Sequence, residues 1–514
     1  MQLRNLGLTN FVCRVYSTKS KTFTAMKKSI FIHLSAIALL IVLTNQVGYA
    51  QLPNLEWART FGGSNIDIGH HVEQTSDLGF IITGYTRSFG AAAGRNVWLV
   101  KTDNLGYQEW QVAFGGADDD EGHSVKQTTD GGFIIAGHTE SFGAGLKDVL
   151  LIRTDANGNQ MWMRTFGGTS DDEGYDLLQT SDGGFLIAGV STSFTAGSRD
   201  GWLVKTDALG NQQWTKSFGG WGSDGFWSIV QTADGGYALA GWTFSLGPGP
   251  LGNAWLVKVD VSGNLQWQKA FGGTDVDRAY DVDQLDDEGF ILTGFTYVST
   301  ARLDDMWLIR TDNLGNALWT KTFGGTGRDY GNAVKQTADG GLIVAGYTLS
   351  FGMGSEDFWF VRTDIDGNLL WQTTLGGGAS DVAFSVQQTL DGGFVATGHT
   401  LSHGAGVHDV WLVKLAADVT SVPYFTEPSN NQLRNFPNPF KTTTNISFTL
   451  QQPDFITLEV LDLTGRVLRT LLYGYQNAGT HQVTFDANGL SDGIYLYRLH
   501  GEGIVETHRM ILLE

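Results

Sequence analysis

The tripeptide Phe-Gly-Gly starts at Phe61, Phe114, Phe166, Phe218, Phe271 and Phe323, and a Leu-Gly-Gly variant starts at Leu375. The intervals are 53, 52, 52, 53, 52 and 52 residues. A fixed period of this length makes the chain an array of one supersecondary unit that needs its neighbours to bury its apolar face. Each unit repeats the same punctuation. A valine-rich run ends in Gln-Thr, as at Gln127-Thr128, and a turn opens "DGGFIIAG" (130–137). An apolar run such as "VWLVKTD" (97–103) follows, and a turn such as "ANGN" (156–159) leads to "QMWMRTFGG" (160–168).

Short Gly-rich turns between such runs are hairpin grammar, so each unit reads as four strands. The middle runs are apolar on successive residues, as strands covered on both faces must be. Helix-period stripes are absent. Radial repetition of four-stranded sheets covered on both faces gives a β-propeller. The ends of the array set the count. The "WLVK"-type strand occurs seven times, starting at Trp98, Leu150, Trp202, Trp255, Trp307, Trp359 and Trp411. The Trp-bearing strand also occurs seven times, with Trp57, Trp110, Trp162, Trp214, Trp267, Trp319 and Trp371. Its first copy, "NLEWARTFGG" (54–63), has no strands before it, and "WLVKLA" (411–416) has no Trp strand after it. The two orphans predict an all-β, seven-bladed β-propeller over residues 51–417, closed by its N-terminal strand so that no edge is left open. "TDANGNQMW" (154–162) resembles, with a one-residue offset, the docking pattern of quinoprotein propellers, and the period with "SDGGF" is similar to kelch repeats. Neither resemblance brings catalytic residues with it.

The two ends of the chain point to export. "MKKSIFIHLSAIALLIVLTNQVGYAQ" begins at Met26, with a basic pair Lys27-Lys28, an apolar core from Ile30 to Leu43 and small residues at Gly48-Tyr49-Ala50. That is the grammar of a secretory signal peptide over residues 26–50, which makes 1–25 a mis-assigned leader. The core is too short for a membrane span, and no later segment is apolar enough for one. The single cysteine, Cys13, precedes the signal, so the mature chain must be held by its core rather than by disulfides. A formal charge of −20 excludes nucleic acid as partner, because phosphate is gripped by Lys and Arg.

After Ala417 the repeat stops. Residues 418–434, "DVTSVPYFTEPSNNQLR", read as a linker. Residues 435–514 alternate in runs such as "FITLEVLDL" (455–463) and "GIYLYRL" (493–499), which argues a small Ig-like β-sandwich. The ordered features Phe436-Pro437-Asn438-Pro439-Phe440, "DLTGR" (462–466), the Gly493, Tyr495, Tyr497 segment and Arg509-Met510-Ile511-Leu512-Leu513 resemble the C-terminal sorting domain of the type IX secretion system. That family usually has lysine where Arg509 stands. The resemblance implies passage across the outer membrane of a Gram-negative bacterium by the secretion machinery, which recognises this module as its partner, and delivery to the cell surface or the medium.

In each unit an aspartate lies six residues after the Phe-Gly-Gly start: Asp67, Asp120, Asp172, Asp224, Asp277, Asp329 and Asp381. A residue present in every unit is expected to serve the turn, its carboxylate accepting backbone N–H bonds. A ring of Ca²⁺ ligands is the alternative. Blade-specific acids at Asp118, Asp119, Glu121, Asp171 and Glu173 leave room for a local cation. "TDIDGN" (363–368) reads as a hairpin turn, because it lacks the later ligands of a calcium loop. Three residues past the aspartate the units differ: His70, His123, Tyr175, Trp227, Tyr280, Asn332 and Phe384. After the Ala-Gly or Thr-Gly pair they differ again: Tyr85, His138, Val190, Trp242, Phe295, Tyr347 and His399. Of these, His70, His123, Tyr175, Trp227, Tyr280, Tyr85, His138, Trp242, Tyr347 and His399 are the candidate ligand-binding residues, since aromatic faces with His and carboxylates suit a sugar or a peptide. Packing between blades is the competing use. No catalytic set, cofactor or metal is expected, because the His lack ligand spacing such as HExxH. The expected function is non-enzymatic binding of a glycan or protein at the cell surface. The alternatives are a hydrolase or lyase acting on extracellular polysaccharide and a structural surface-layer component.

Overall fold

The computed structural model describes residues 53–90, 94–298, 303–417, 433–450, 452–461, 467–491, 493–501 and 504–512. The leader, the signal peptide, the linker up to residue 432 and "DLTGR" lie outside them. Among the described residues there is no helix. The chain divides into two compact units between Thr420 and Ser421.

The first unit holds seven four-stranded antiparallel sheets. The second of them shows the pattern: Asp120–Gln127, Phe133–Thr139, Asp148–Thr154 and Gln160–Phe166, paired in that order. Its two middle strands are buried along their whole length, while the fourth is largely half-exposed. The continuous apolar runs are therefore the strands sandwiched between neighbouring sheets. Six sheets are each built from consecutive strands. The remaining one joins Asp381–Gln388, Phe394–Thr400 and Asp409–Leu415 to Leu55–Phe61, with Trp57 opposite Lys414 and Phe61 opposite Val410. Its innermost strand also bonds to the first strand of the repeat: Val72 N–H donates to Ser385 Oγ at 3.4 Å, and Gln74 N–H to Gln387 Oε1 at 2.8 Å.

The Phe-Gly-Gly turn has a steric explanation. Asp172 is fully buried and accepts the Gly168 N–H at 2.7 Å. The same bond recurs in all seven units, from Gly63 to Asp67 through Gly377 to Asp381, at 2.7 to 2.9 Å. The first glycine is required because a Cβ on Gly167 would lie 2.9 Å from Asp172 Oδ2 and closer still to Asp148 Oδ1. The second has no room for a side chain in six of the seven units, as at Gly168, where a Cβ would lie 2.6 Å from Ser193 Cβ; Gly273 is the exception, with nothing within 4 Å. Two carboxylates and a serine thus occupy the space that side chains would need. In the "TDIDGN" turn, Asp364 Oδ1 accepts from Asn368 N–H at 2.8 Å, and Gly367 takes φ +74°.

The second unit contains a three-stranded sheet (Arg434–Phe436, Thr443–Leu450, Gly479–Asp486) and a four-stranded one ordered Val467–Gln476, Asp454–Leu461, Gly493–Gly501, Ile504–Leu512. They share one core in which Ile446, Phe448 and Phe485 meet Leu458, Tyr497, Leu499 and Met510.

Candidate functional site

The innermost strand of every sheet carries one β-bulge. In the first sheet Gly69 pairs with Gly84 and His71 with Thr83, so His70 is the extra residue. The other six extra residues are His123, Tyr175, Trp227, Tyr280, Asn332 and Phe384. These are the seven variable positions that lie three residues past the repeated aspartate. A bulge re-aims its side chain out of the alternation of the strand. Here all seven line one cavity of about 340 Å³.

The glycine opposite each bulge is a consequence of it. A Cβ on Gly137 would lie 1.8 Å from the Glu121 carbonyl oxygen, and the six equivalents, Gly84 to Gly398, would lie 1.8 to 2.0 Å from theirs. The residue before the bulge is Gly or Ala in every sheet except at Phe226. There the preceding sheet supplies Gly201, whose absent Cβ leaves room for the Phe226 ring.

Around the cavity the bulge residues form a nearly continuous belt of rings. Centroid distances are 5.6 Å for Phe384 to His70, 4.9 Å for His70 to His123, and 5.2 Å for His123 to Tyr175. The belt continues with Tyr175 to Trp227 at 6.3 Å and Trp227 to Tyr280 at 4.8 Å. Asn332 interrupts it and donates to Ala383 O at 2.7 Å. One residue further along, six of the seven strands are polar, Ala333 being the exception. Ser124 Oγ donates to Asp176 at 2.8 Å, Ser228 Oγ to Asp281 at 2.6 Å, and Lys335 Nζ meets Asp281 at 3.0 Å. Burial raises the Asp176 carboxyl above its ordinary range. It opposes the charge on Lys335 too, but Asp281 and Asp283 outweigh it and hold that ammonium above its ordinary range.

The second set of candidates stands behind the belt. Tyr85, His138, Trp242 and His399 are buried. Trp242 packs on Trp227 at 4.1 Å, His399 on Phe384 at 5.6 Å, and His138 on His123 at 5.2 Å. Tyr347 is half-buried and stacks on Tyr330 at 4.8 Å. Three of the five unit-specific acids are met by cations of the protein itself. Asp119 lies 3.5 Å from both Arg87 and Arg95. Glu121 pairs with Arg95. Glu173 lies 3.1 Å from Arg199, 3.4 Å from Lys147 and 3.1 Å from the Tyr175 hydroxyl.

Sequence reasoning missed three features. Tyr330, whose hydroxyl donates to Asp304 at 2.6 Å, joins the ring system from the strand position two before the bulge. Trp221 is 91% exposed in the loop before Asp224–Gln231, and its place between two glycines in a variable stretch was the available signal. His70, Glu121 and His123 also offer ligand atoms within 4.8 Å of one another. No local spacing announces that group, because its histidines come from consecutive units 53 residues apart.

In the C-terminal unit the sorting motif is a set of interlocked contacts. Asn438 Nδ2 donates to Arg509 O at 3.2 Å, and its Oδ1 accepts from Ile511 N–H at 2.8 Å. Phe440 is buried, and its N–H donates to Ile511 O at 2.9 Å. Pro437 O accepts from Thr444 Oγ1 at 2.6 Å. Tyr497 is buried in the core, and Tyr495 donates to Ser491 O at 2.6 Å. Gly493 pairs with Leu512 and Pro439 lies between Asn438 and Phe440, so the motif joins the first and last strands of the unit. Phe436, by contrast, is 79% exposed.

With that geometry the chain is an all-β, propeller-like protein carrying a sorting module. Residues 434–513 match the family described as the secretion system C-terminal sorting domain, and the module is the sorting tail of type IX secretion. Its presence implies secretion through that system and contact with its machinery. A 26% identical stretch of 186 residues relates 31% of the chain to 20% of the regulatory protein FlaEY of Caulobacter vibrioides, so the match spans a fifth of that protein's length. Among solved structures, the chain is similar to PorZ, an essential bacterial surface component of the type-IX secretion system of Porphyromonas gingivalis. That likeness is 11% identical, covers 82% of this chain and 64% of the other, and has a TM-score of 0.30. It is also similar to a puromycin hydrolase (14% identical, 76% and 60% covered, TM-score 0.42) and to the β-propeller domain of the Trilobed protease of Pyrococcus furiosus (10% identical, 73% and 100% covered, TM-score 0.36). At these levels the likenesses carry no inference about activity. Among the described residues no helix is long and apolar enough to cross a membrane.

Proposed function

We propose that residues 51–417 form a seven-bladed propeller closed by the N-terminal strand, and that it binds a glycan or a protein segment without chemistry at the bulge belt. Residues 26–50 direct export to the periplasm, and residues 435–514 then take the protein outside the outer membrane. The pairing of Leu55–Phe61 with Asp409–Leu415 supports the closure. One observation carries the binding reading: seven bulges aim seven side chains of five different types into one cavity. Residues that only made turns would repeat, as the aspartates do. Tyr175, Trp227 and Tyr280 offer ring faces for stacking, His70 and His123 offer polar edges, Tyr85, His138 and Trp242 back those rings, and His399 and Tyr347 back Phe384 and Tyr330.

Trp227→Ala and Tyr175→Ala are expected to weaken binding by about tenfold or more, as loss of a buried aromatic anchor does, while the melting temperature stays near wild type. Glycan and peptide arrays with the full chain identify the ligand, and titration calorimetry reads the affinity. Turnover of a polysaccharide would replace this reading with the hydrolase or lyase. Silence in both assays would leave a structural surface component. Export has its own test. A chain ending at residue 433 is expected to accumulate in the periplasm of a host with type IX secretion, as followed by cell fractionation. Its appearance on the cell surface would remove the sorting role.

A further inference from the structure

We infer that His70, Glu121 and His123 form a binding site for a divalent transition-metal ion of the zinc and copper class, at the rim of the bulge belt. The three ligand atoms lie within 4.8 Å of one another, and Glu121 is buried. Two imidazoles and one carboxylate suit borderline ions rather than Ca²⁺ or Mg²⁺, which take oxygen ligands. A set of three protein ligands leaves a fourth position of a tetrahedral ion open, and His70 and His123 both line the cavity.

Groups outside the cluster prepare it. His70 Nδ1–H donates to Gly122 O at 2.9 Å, which leaves Nε2 with its lone pair. His123 Nε2 lies 3.1 Å from His138 Nδ1, and the tautomer in which His123 donates leaves its Nδ1 unprotonated. Arg95 engages Glu121 through Oε1, so Oε2 remains. A ligand whose other polar atom is held in this way is the usual second layer of a metal site. The rings now stack at an interplanar angle of 19°. Bonds of about 2.1 Å to a tetrahedral ion set ligand atoms roughly 3.4 Å apart, inside the 4.8 Å within which these three already lie.

The site stands independently of the glycan or protein reading, because it is tested with metal alone. The full chain, stripped with chelator, is titrated with Zn²⁺ by calorimetry and with Co²⁺ by visible absorption. One equivalent is expected to bind, with the intense band of tetrahedral Co²⁺. His70→Phe and His123→Phe keep an aromatic ring in the belt, and Glu121→Gln keeps the shape. Each is expected to weaken binding by about a hundredfold or more, beyond the 10–100-fold loss typical of an outer-shell change, and to abolish the band. His403→Asn, outside the cluster, is the control and binds as wild type. Equal binding by wild type and the three variants, each shown to be folded by its melting curve, would make the uptake adventitious and overturn the site. So would the absence of binding by wild type.

Discussion

Gly137→Ala is expected to cost about 3 kcal/mol of stability, the upper end for overpacking a close-packed interior. Gly137 has an ordinary negative φ, so its requirement is steric and not conformational. The bulge at His123 pushes the Glu121 carbonyl oxygen to within 1.8 Å of the place a Cβ would take. Neither strand can retreat. Phe133–Thr139 is buried along its whole length, and Asp120–Gln127 is bonded to the next sheet through Ser124 and Asp176. The methyl group must therefore displace backbone, which a flexible side chain could have avoided. Gly273→Ala is the control, because nothing lies within 4 Å of its Cβ position and that residue is exposed. Denaturant titration reads both variants. A Gly137→Ala midpoint equal to that of Gly273→Ala would remove the link between bulge and glycine.

Stability is expected to fall as the pH is lowered from about 6.5 toward 4, because buried neutral histidines oppose protonation in the fold. His399 is buried, its Nδ1 lacks a partner, and burial with His408 and His70 nearby pushes its pKa down to about 4. Asp381 pulls the other way but does not prevail. In the unfolded chain the group titrates near 6.5. Between these two values the unfolded state holds more protons than the folded one, so acidification favours unfolding. His399 alone contributes up to about 3 kcal/mol across that window. Burial also lowers His71 and His123, and both act in the same direction. Asp176 and Asp283, raised by burial, act in the opposite direction just above their ordinary range. Chemical denaturation of the chelator-treated chain at pH 7.5 and pH 5 checks the expectation, and His399→Asn should flatten the difference. Equal midpoints at the two pH values would show that these imidazoles stay accessible to protons in the fold.

The belt was half legible. Its seven positions could be named from the sequence, because they vary where everything around them repeats. Their shared role as bulge residues could not be read, since His, Tyr, Trp, Asn and Phe have no common bulge propensity. The nearest signal was indirect: a small residue just before each position and a glycine on the facing strand, with Phe226 excused by Gly201. The separation of the belt from its backing was also hidden. Tyr85 and His70 are both ring-bearing residues near a turn, and only the register puts one behind the other. Trp221 went unnoticed because a lone aromatic in a polar loop matches no periodicity.

Period, strand grammar and the sorting motif were determined by the sequence, because each depends on neighbours close along the chain. A turn needs its glycine, a strand covered on both faces needs a continuous apolar run, and Asn438 needs a fixed distance to Phe440. The three-dimensional structure alone decided what lies across the boundary between repeat units. His70 meets His123 and Glu121 from the next unit, and Asp172 shares the Gly167 turn with Asp148 from the previous sheet. The physical reason is that a repeat fixes each unit's own geometry through short-range bonds. The angle and register between units come from side-chain packing at the boundary, where the units differ.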